Sequence, residues 1–159
     1  QMPGLKKKYL KYNSYKNQTV HDIFNPIKIK SSHINYVYNL KSSVFINSGN
    51  GFTNLELPIE AQFSNVFAIE IDDFNDDGLK DIILGGNLYN VKPEVGRYDA
   101  NYGQILLGSK ELKFKVAPHK KSGLLFKGQV RDFSTFKNLM GDDYLLVLNN
   151  SDSLQSYSF

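Results

Sequence analysis

The chain has no cysteine and no tryptophan, and only two methionines and five prolines. Without thiols it can form neither disulfides nor thiolate metal sites, so a resident metal must be held by oxygen or by histidine nitrogen. The histidines, His21, His33 and His119, lie far apart and show no metal or triad spacing. No apolar run approaches the roughly 18 residues of a membrane-spanning helix. Neither a nucleophile elbow nor a phosphate-cradling glycine loop is present. The net charge of +3 is modest, and the excess of lysine lies before residue 31, where Asp22 is the one acidic residue. There Lys6, Lys7, Lys8 and Lys11 interleave with Tyr9 and Tyr12. No basic cluster elsewhere reinforces them, so they read as a solvated face over an aromatic stripe and not as a nucleic-acid surface.

What is abundant is glycine, tyrosine, phenylalanine, asparagine and serine, a composition that favours strands joined by polar turns. With 159 residues, 41% of them hydrophobic, the chain can bury a core. Residues 3–24 stand apart. Leu5, Tyr9 and Tyr12 recur at helical spacing, Thr19 and Asp22 form a capping box before Ile23 and Phe24, and Pro26 is expected to end the helix. From Asn35 onward short apolar runs alternate with turns. Strands are expected at Tyr36-Val37-Tyr38, Ser43–Ile46, Phe52–Leu57, 66–71 and 81–85.

Between the last two lies Asp73-Phe74-Asn75-Asp76-Asp77-Gly78-Leu79-Lys80-Asp81. Oxygen-bearing side chains occupy its positions 1, 3, 5 and 9, and glycine occupies position 6. Calcium takes roughly six to eight oxygens, so alternate side chains must converge while the backbone turns sharply. Gly78 permits the turn, Leu79 can offer its carbonyl, and Asp73, Asp77 and Asp81 repel one another unless a cation sits among them. The flanks read as strands and position 12 is Leu84, so the loop is not an EF-hand. A metal-free hairpin turn rich in Asp, Asn and Gly is the plainer alternative.

The pattern repeats at an offset near sixty residues. Ser43–Gly49 is echoed by Gly103–Ser109, Thr53–Leu57 by Leu112–Val116, Val66–Phe74 by 128–133, and 81–84 by 144–148. Asp132 and Asp143 then stand for Asp73 and Asp81, with the ligand spacing between them lost. Two units of four strands point to propeller blades.

These residues resemble the FG-GAP/VCBS repeats. The resemblance covers most of the chain, and its most specific element is the D-x-N-x-D-G-x-x-D loop. Pro3–Tyr9, Leu57–Ser64 and Lys92–Ala100 further resemble the C-terminal part of bacterial VCBS-repeat proteins that often carry an ASPIC/UnbV domain. The resemblance implies a mainly β chain: two four-stranded β-propeller blades forming a partial propeller, with a short N-terminal helical segment. The expected organisation is a helical and linker segment at 1–34, a first blade at 35–102, and a second, degenerate blade with a closing strand at 103–159. It implies calcium held by Asp73, Asn75, Asp77, Asp81 and the Leu79 carbonyl. It also implies an exported protein of the bacterial surface, outer membrane or periplasm, frequently a lipoprotein. The expected role is non-enzymatic, with the remaining blades or a protein partner, including an outer-membrane complex, as its associates and with no nucleic acid. An enzyme with its catalytic residues on other blades is the alternative.

The long connection 88–102 carries Lys92, Glu94, Arg97 and Asp99, which are candidates for recognition unless Arg97 and Asp99 pair internally. Two blades cannot close a ring. The opening Gln1 is therefore expected to lie inside a longer or processed chain, with Ile83, Ile105, Leu145 and Val147 facing missing neighbours.

Overall fold

The computed structural model describes residues 3–159 and divides the chain into two compact units, residues 1–40 and 41–159. The first unit holds three short helices, α1 (Pro3–Lys8), α2 (Val20–Ile23) and α3 (Pro26–Lys30), with a 3-10 turn at Tyr12–Ser14. The expected capping box forms: Thr19 donates its N–H (2.8 Å) and its hydroxyl (2.7 Å) to Asp22 Oδ2. These bonds hold the Asp22 carboxyl below its ordinary pKa. Pro26 opens α3 instead of closing the helical segment, because Asn25 caps the new helix by accepting from the Ile27 N–H at 2.9 Å. No described residue before 41 is buried, so this unit has no core of its own. Tyr36-Val37-Tyr38 is not a strand. Its rings stack on each other at 6.1 Å and remain exposed, with no neighbouring strand to pair.

The second unit is mainly β. Its elements are β1 (Ser43–Asn47), β2 (Phe52–Glu56), β3 (Val66–Asp72), β4 (Asp81–Gly86), β5 (Gln104–Leu107), β6 (Lys115–Val116), the one-turn helix α4 (His119–Ser122), β7 (Val130–Lys137), β8 (Asp143–Asn149) and β9 (Gln155–Ser158). They form three antiparallel sheets: β1-β2, β3-β4-β5-β6 and β7-β8-β9. The middle sheet crosses residue 102, so the predicted boundary between 35–102 and 103–159 falls inside a sheet. β5 pairs with β4 because the connection 88–102 folds back and returns the chain beside the strand it has just left. The expected strand over 112–116 shrinks to two residues, since Leu112 adopts a left-handed φ of 57°.

Paired residues in an antiparallel sheet project to the same face. On one face of the middle sheet, Ile83 and Ile105 join Val130, Phe133, Leu145 and Val147 in a single buried cluster. The four residues expected to face missing neighbours thus cover each other, because the two larger sheets pack face to face. On the opposite face Ile82, Leu84 and Leu106 pack with Leu57 and Ala61, and Val44 of β1 joins them. That cover reaches β3 only at Val66; beyond it Phe67, Ile69 and Ile71 are 46%, 59% and 57% exposed.

Gly86 sets how closely β4 approaches the chain entering β3. A Cβ there would lie 1.7 Å from the Asn65 carbonyl oxygen, which is backbone and has nowhere to go. Gly86→Ala should therefore destabilise the full chain by about 3 kcal/mol or more, the upper range for overpacking. Gly4→Ala meets nothing within 4 Å and should be nearly silent. Urea denaturation of both variants checks the pair.

Candidate metal centre

β3 and β4 pair as far as Asp72 opposite Asp81, which leaves residues 73–80 to close the hairpin. Eight residues are too many for a tight turn, and the side chains organise them. Asp73 accepts from two backbone amides, Oδ1 from Asp77 N–H at 3.1 Å and Oδ2 from Gly78 N–H at 2.7 Å. Asn75 Oδ1 accepts from the same Asp77 N–H at 3.1 Å, and Asp77 Oδ1 accepts from Leu79 N–H at 2.8 Å. Asp76 and Gly78 take left-handed φ values of 57° and 81°, the two backbone reversals that this winding needs. The side chains at positions 1, 3 and 5 are thereby folded inward onto the loop's own amides, each oxygen keeping lone-pair capacity.

Asp81 closes the arrangement from below and is fully buried. Its Oδ2 accepts from Phe74 N–H at 3.1 Å and its Oδ1 from Gly108 N–H at 2.8 Å. A Cβ on Gly108 would sit 2.3 Å from the Lys80 carbonyl, so only glycine brings that amide close enough. Burial raises the Asp81 pKa above its ordinary value of 3.8, and the charges of Asp77 and Asp73 add to the rise against those two amide bonds. Lys80 pairs with Asp72 at 2.8 Å and holds that carboxyl low, and its charge reaches Asp73 only as a weaker, longer-range attraction. Among the described residues no ion pair reaches Asp73, Asp77 or Asp81.

The donor set is all oxygen, as a hard cation requires. Among the described residues, however, no group of three or more acidic or histidine side chains closes to metal-holding geometry. The Asn75 Nδ2 donates to Asp77 Oδ2 at 3.0 Å, the bond a cation would have to supplant. Leu79 lies on the outgoing arm of the loop, its position fixed by its amide bond to Asp77.

The related hairpin β7–β8 differs from expectation. β3 and β7 each carry a register shift just after their first residue, at Val66/Ala68 and Val130/Asp132. Counting from that shared bulge, Asp73 corresponds to Lys137, whereas Asp132 sits inside β7 opposite Leu148. Asp132 is therefore not the counterpart of Asp73. Lys137 places its ammonium 2.6 Å from Asp143, an internal cation where the first loop has an acid. Residues 138–142 then make a short turn, with Asn138 Oδ1 accepting from Met140 and Asp142.

In the connection 88–102, Lys92, Glu94, Arg97 and Asp99 are exposed and are not drawn into one cluster. Leu88 and Tyr98 exchange backbone hydrogen bonds at 2.8 and 3.0 Å, and the Arg97 guanidinium lies over the Tyr89 ring at 5.0 Å. Among the described residues Arg97 and Asp99 form no ion pair.

A buried polar hub that fastens this connection escaped the sequence reading. Asn87 is almost fully buried with φ 79°. Its Nδ2 donates to the Asn101 and Gly128 carbonyls at 2.7 and 2.9 Å, and its Oδ1 accepts from Asn101 N–H and the Ser64 hydroxyl at 2.9 and 3.0 Å. Arg131 donates to the Asn87 carbonyl at 3.1 Å and stacks on Phe67 at 4.2 Å. An asparagine directly after Gly85-Gly86, where the chain leaves a buried strand, is the signal that could have found it.

Set against protein-family models, curated proteins and solved structures, the chain matches none. The functional reading rests on residues and geometry.

Because Asp81 is raised, the folded protein keeps its proton to higher pH than the unfolded chain does. Its contribution to stability is complete below 3.8 and is lost as pH rises through the folded value. In EDTA, carbon NMR of the Asp81 carboxyl should titrate above the ordinary aspartate midpoint, and saturating calcium should move that midpoint down. A midpoint at or below the ordinary value in EDTA contradicts the argument.

Proposed function

We propose that this chain is a calcium-stabilised β-propeller segment of an exported bacterial surface protein, serving binding or complex assembly and not catalysis. The observation that carries the reading is the buried Asp81 carboxylate, destabilised by the charges of Asp77 and Asp73, none of the three being in an ion pair among the described residues. An ionised carboxylate in that setting is costly unless a proton or a metal offsets it. Calcium suits the site better than magnesium, since an irregular loop of many oxygens tolerates the larger ion. Asp73, Asn75, Asp77, Asp81 and the Leu79 carbonyl would hold it. Its part would be structural: neutralising the three acids ties the β3–β4 hairpin to the Gly108 turn that follows β5.

The blade reading draws support from the meander β3-β4-β5-β6, a complete four-strand unit with a partial sheet against each face. The cover that includes β1 of the β1–β2 hairpin lies over β4 to β6 and reaches β3 only at Val66. In a propeller, two further strands beside β1 would extend that hairpin over Phe67, Ile69 and Ile71. This uncovered strip supports association with remaining blades or a protein partner. The surface location rests on the resemblance of the residues. Among the described residues no helix is long and apolar enough to cross a membrane.

Calorimetric titration of the full chain with calcium should find one equivalent, and Asp77→Ala should abolish it. At a free ion concentration a hundred times the dissociation constant, calcium should stabilise the chain by about 2.7 kcal/mol. No bound ion, or a melting curve unmoved by EDTA after confirmed metal loss, overturns the proposal. Separately, the isolated chain should self-associate and bind a hydrophobic dye. Ile69→Thr with Ile71→Thr should reduce both, as light scattering and dye fluorescence can establish.

A further inference from the structure

The two larger sheets do not fill the space between them completely. A cavity of about 270 Å³ lies where Ile83 and Ile105 of the middle sheet face Leu145 of β8, with Ala117 and Leu124 completing the walls. Each of these five residues is less than 10% exposed, so the floor is core and not surface. An apolar cavity of roughly 150 Å³ is enough to bind benzene, so this one has room for a larger hydrocarbon body. Its mouth is polar, with Asn75, Ser122 and Ser158. Among the described residues lining it, Lys121 carries the one charged side chain. Lys121 is exposed, and among the described residues its ammonium enters no ion pair. The turn that presents it is held on both sides: the Pro118 carbonyl accepts from Lys121 N–H at 2.8 Å, and Gly123, at φ 68°, donates to the His119 carbonyl at 2.9 Å. The edge-to-face pair Phe74–Phe159, with centroids 5.0 Å apart, lines both this cavity and the adjoining acidic cleft of Asp72, Asp73 and Asp143. The two rings form the partition between an apolar chamber with a cationic rim and the acidic loop.

We propose that this cavity is a binding site for a small amphipathic anion, a medium-chain or aryl carboxylate whose apolar body enters between the sheets. Its carboxylate would meet Lys121 and the Ser122 hydroxyl at the mouth. Burial of the hydrocarbon supplies most of the affinity, and the lysine supplies the preference for a negative head. The apolar chamber does not depend on the calcium reading, since Ile83, Ile105, Ala117, Leu124 and Leu145 lie outside the loop 73–80, which contributes Phe74 and Asn75 at the mouth.

The test uses the full chain in calcium-free buffer with octanoate, octanol and octylamine as probes, followed by methyl NMR of Ile83, Ile105 and Leu145. Octanoate should bind at one site, shift those methyls, and bind about fivefold more tightly than octylamine, the scale of one exposed ion pair. Lys121→Glu should reverse that order and leave octanol unchanged. Ala117→Leu should fill the chamber and abolish binding of all three. Where that variant fails to fold, Ser122→Phe at the mouth should do the same. The proposal is overturned if no probe shifts the cavity methyls, if the order of the probes is indifferent to Lys121→Glu, or if a folded cavity-filling variant binds as the parent does.

Discussion

The structure turns on one buried carboxylate. Asp81 begins β4, whose every residue is buried, and it accepts amide hydrogens from segments on either side, Phe74 in the loop before it and Gly108 in the turn after β5. Those two bonds fix the loop 73–80 to the middle sheet. They also keep Asp81 within electrostatic reach of Asp77 and Asp73, so the proposed ion site and the stability of the loop rest on the same group. Amide bonds to a carboxylate favour its charged form, and burial disfavours it. In Asp81 burial prevails, which is the condition under which a cation makes the largest difference.

The surrounding architecture protects that arrangement. β4 is buried on both faces, by Ile83 toward β7 and β8 and by Ile82 and Leu84 toward the β1–β2 side. Truncating Ile83 to alanine would remove packing worth on the order of 2–5 kcal/mol. The hub around Asn87 fastens the far end of the same strand, so both ends of β4 are held by side-chain-to-backbone bonds. β3 differs. One face packs toward β7, and beyond Val66 its other face carries the exposed apolar strip Phe67, Ile69 and Ile71.

Much of this was legible in residues alone, for identifiable reasons. Alternating or continuous β-branched runs bounded by Gly, Asn and Pro revealed β1 to β4, β8 and the first half of β7, because those strands are built by burial and burial writes a pattern; residues 134–137, expected in a loop, continue β7. Asp73, Asn75, Asp77 and Asp81 were legible because the loop is wound by its own side chains at fixed spacing. The failures came where a local cap or a distant contact decides. Tyr36-Val37-Tyr38 has strand propensity but finds no partner, and Pro26 begins a helix because Asn25 caps it. Asp132 seemed to match Asp73 by spacing, yet the shared bulge places Lys137 there instead. No local signal reveals that β5 and β6 join the sheet of β3 and β4, nor that two neighbouring sheets leave a chamber between Ile83 and Leu145.

The central claim is that the acids of one loop, and not of its counterpart, surround a calcium ion. Amide proton and nitrogen NMR of the full chain during calcium titration tests it most directly, because the amides of Phe74, Asp77, Gly78 and Gly108 donate to the ligand carboxylates. The account predicts that these four resonances shift together and saturate at one equivalent, while Met140 and Asp142 of the second hairpin stay in place. Shifts confined to the second hairpin, or none at Phe74 and Gly108 at saturating calcium, would contradict it.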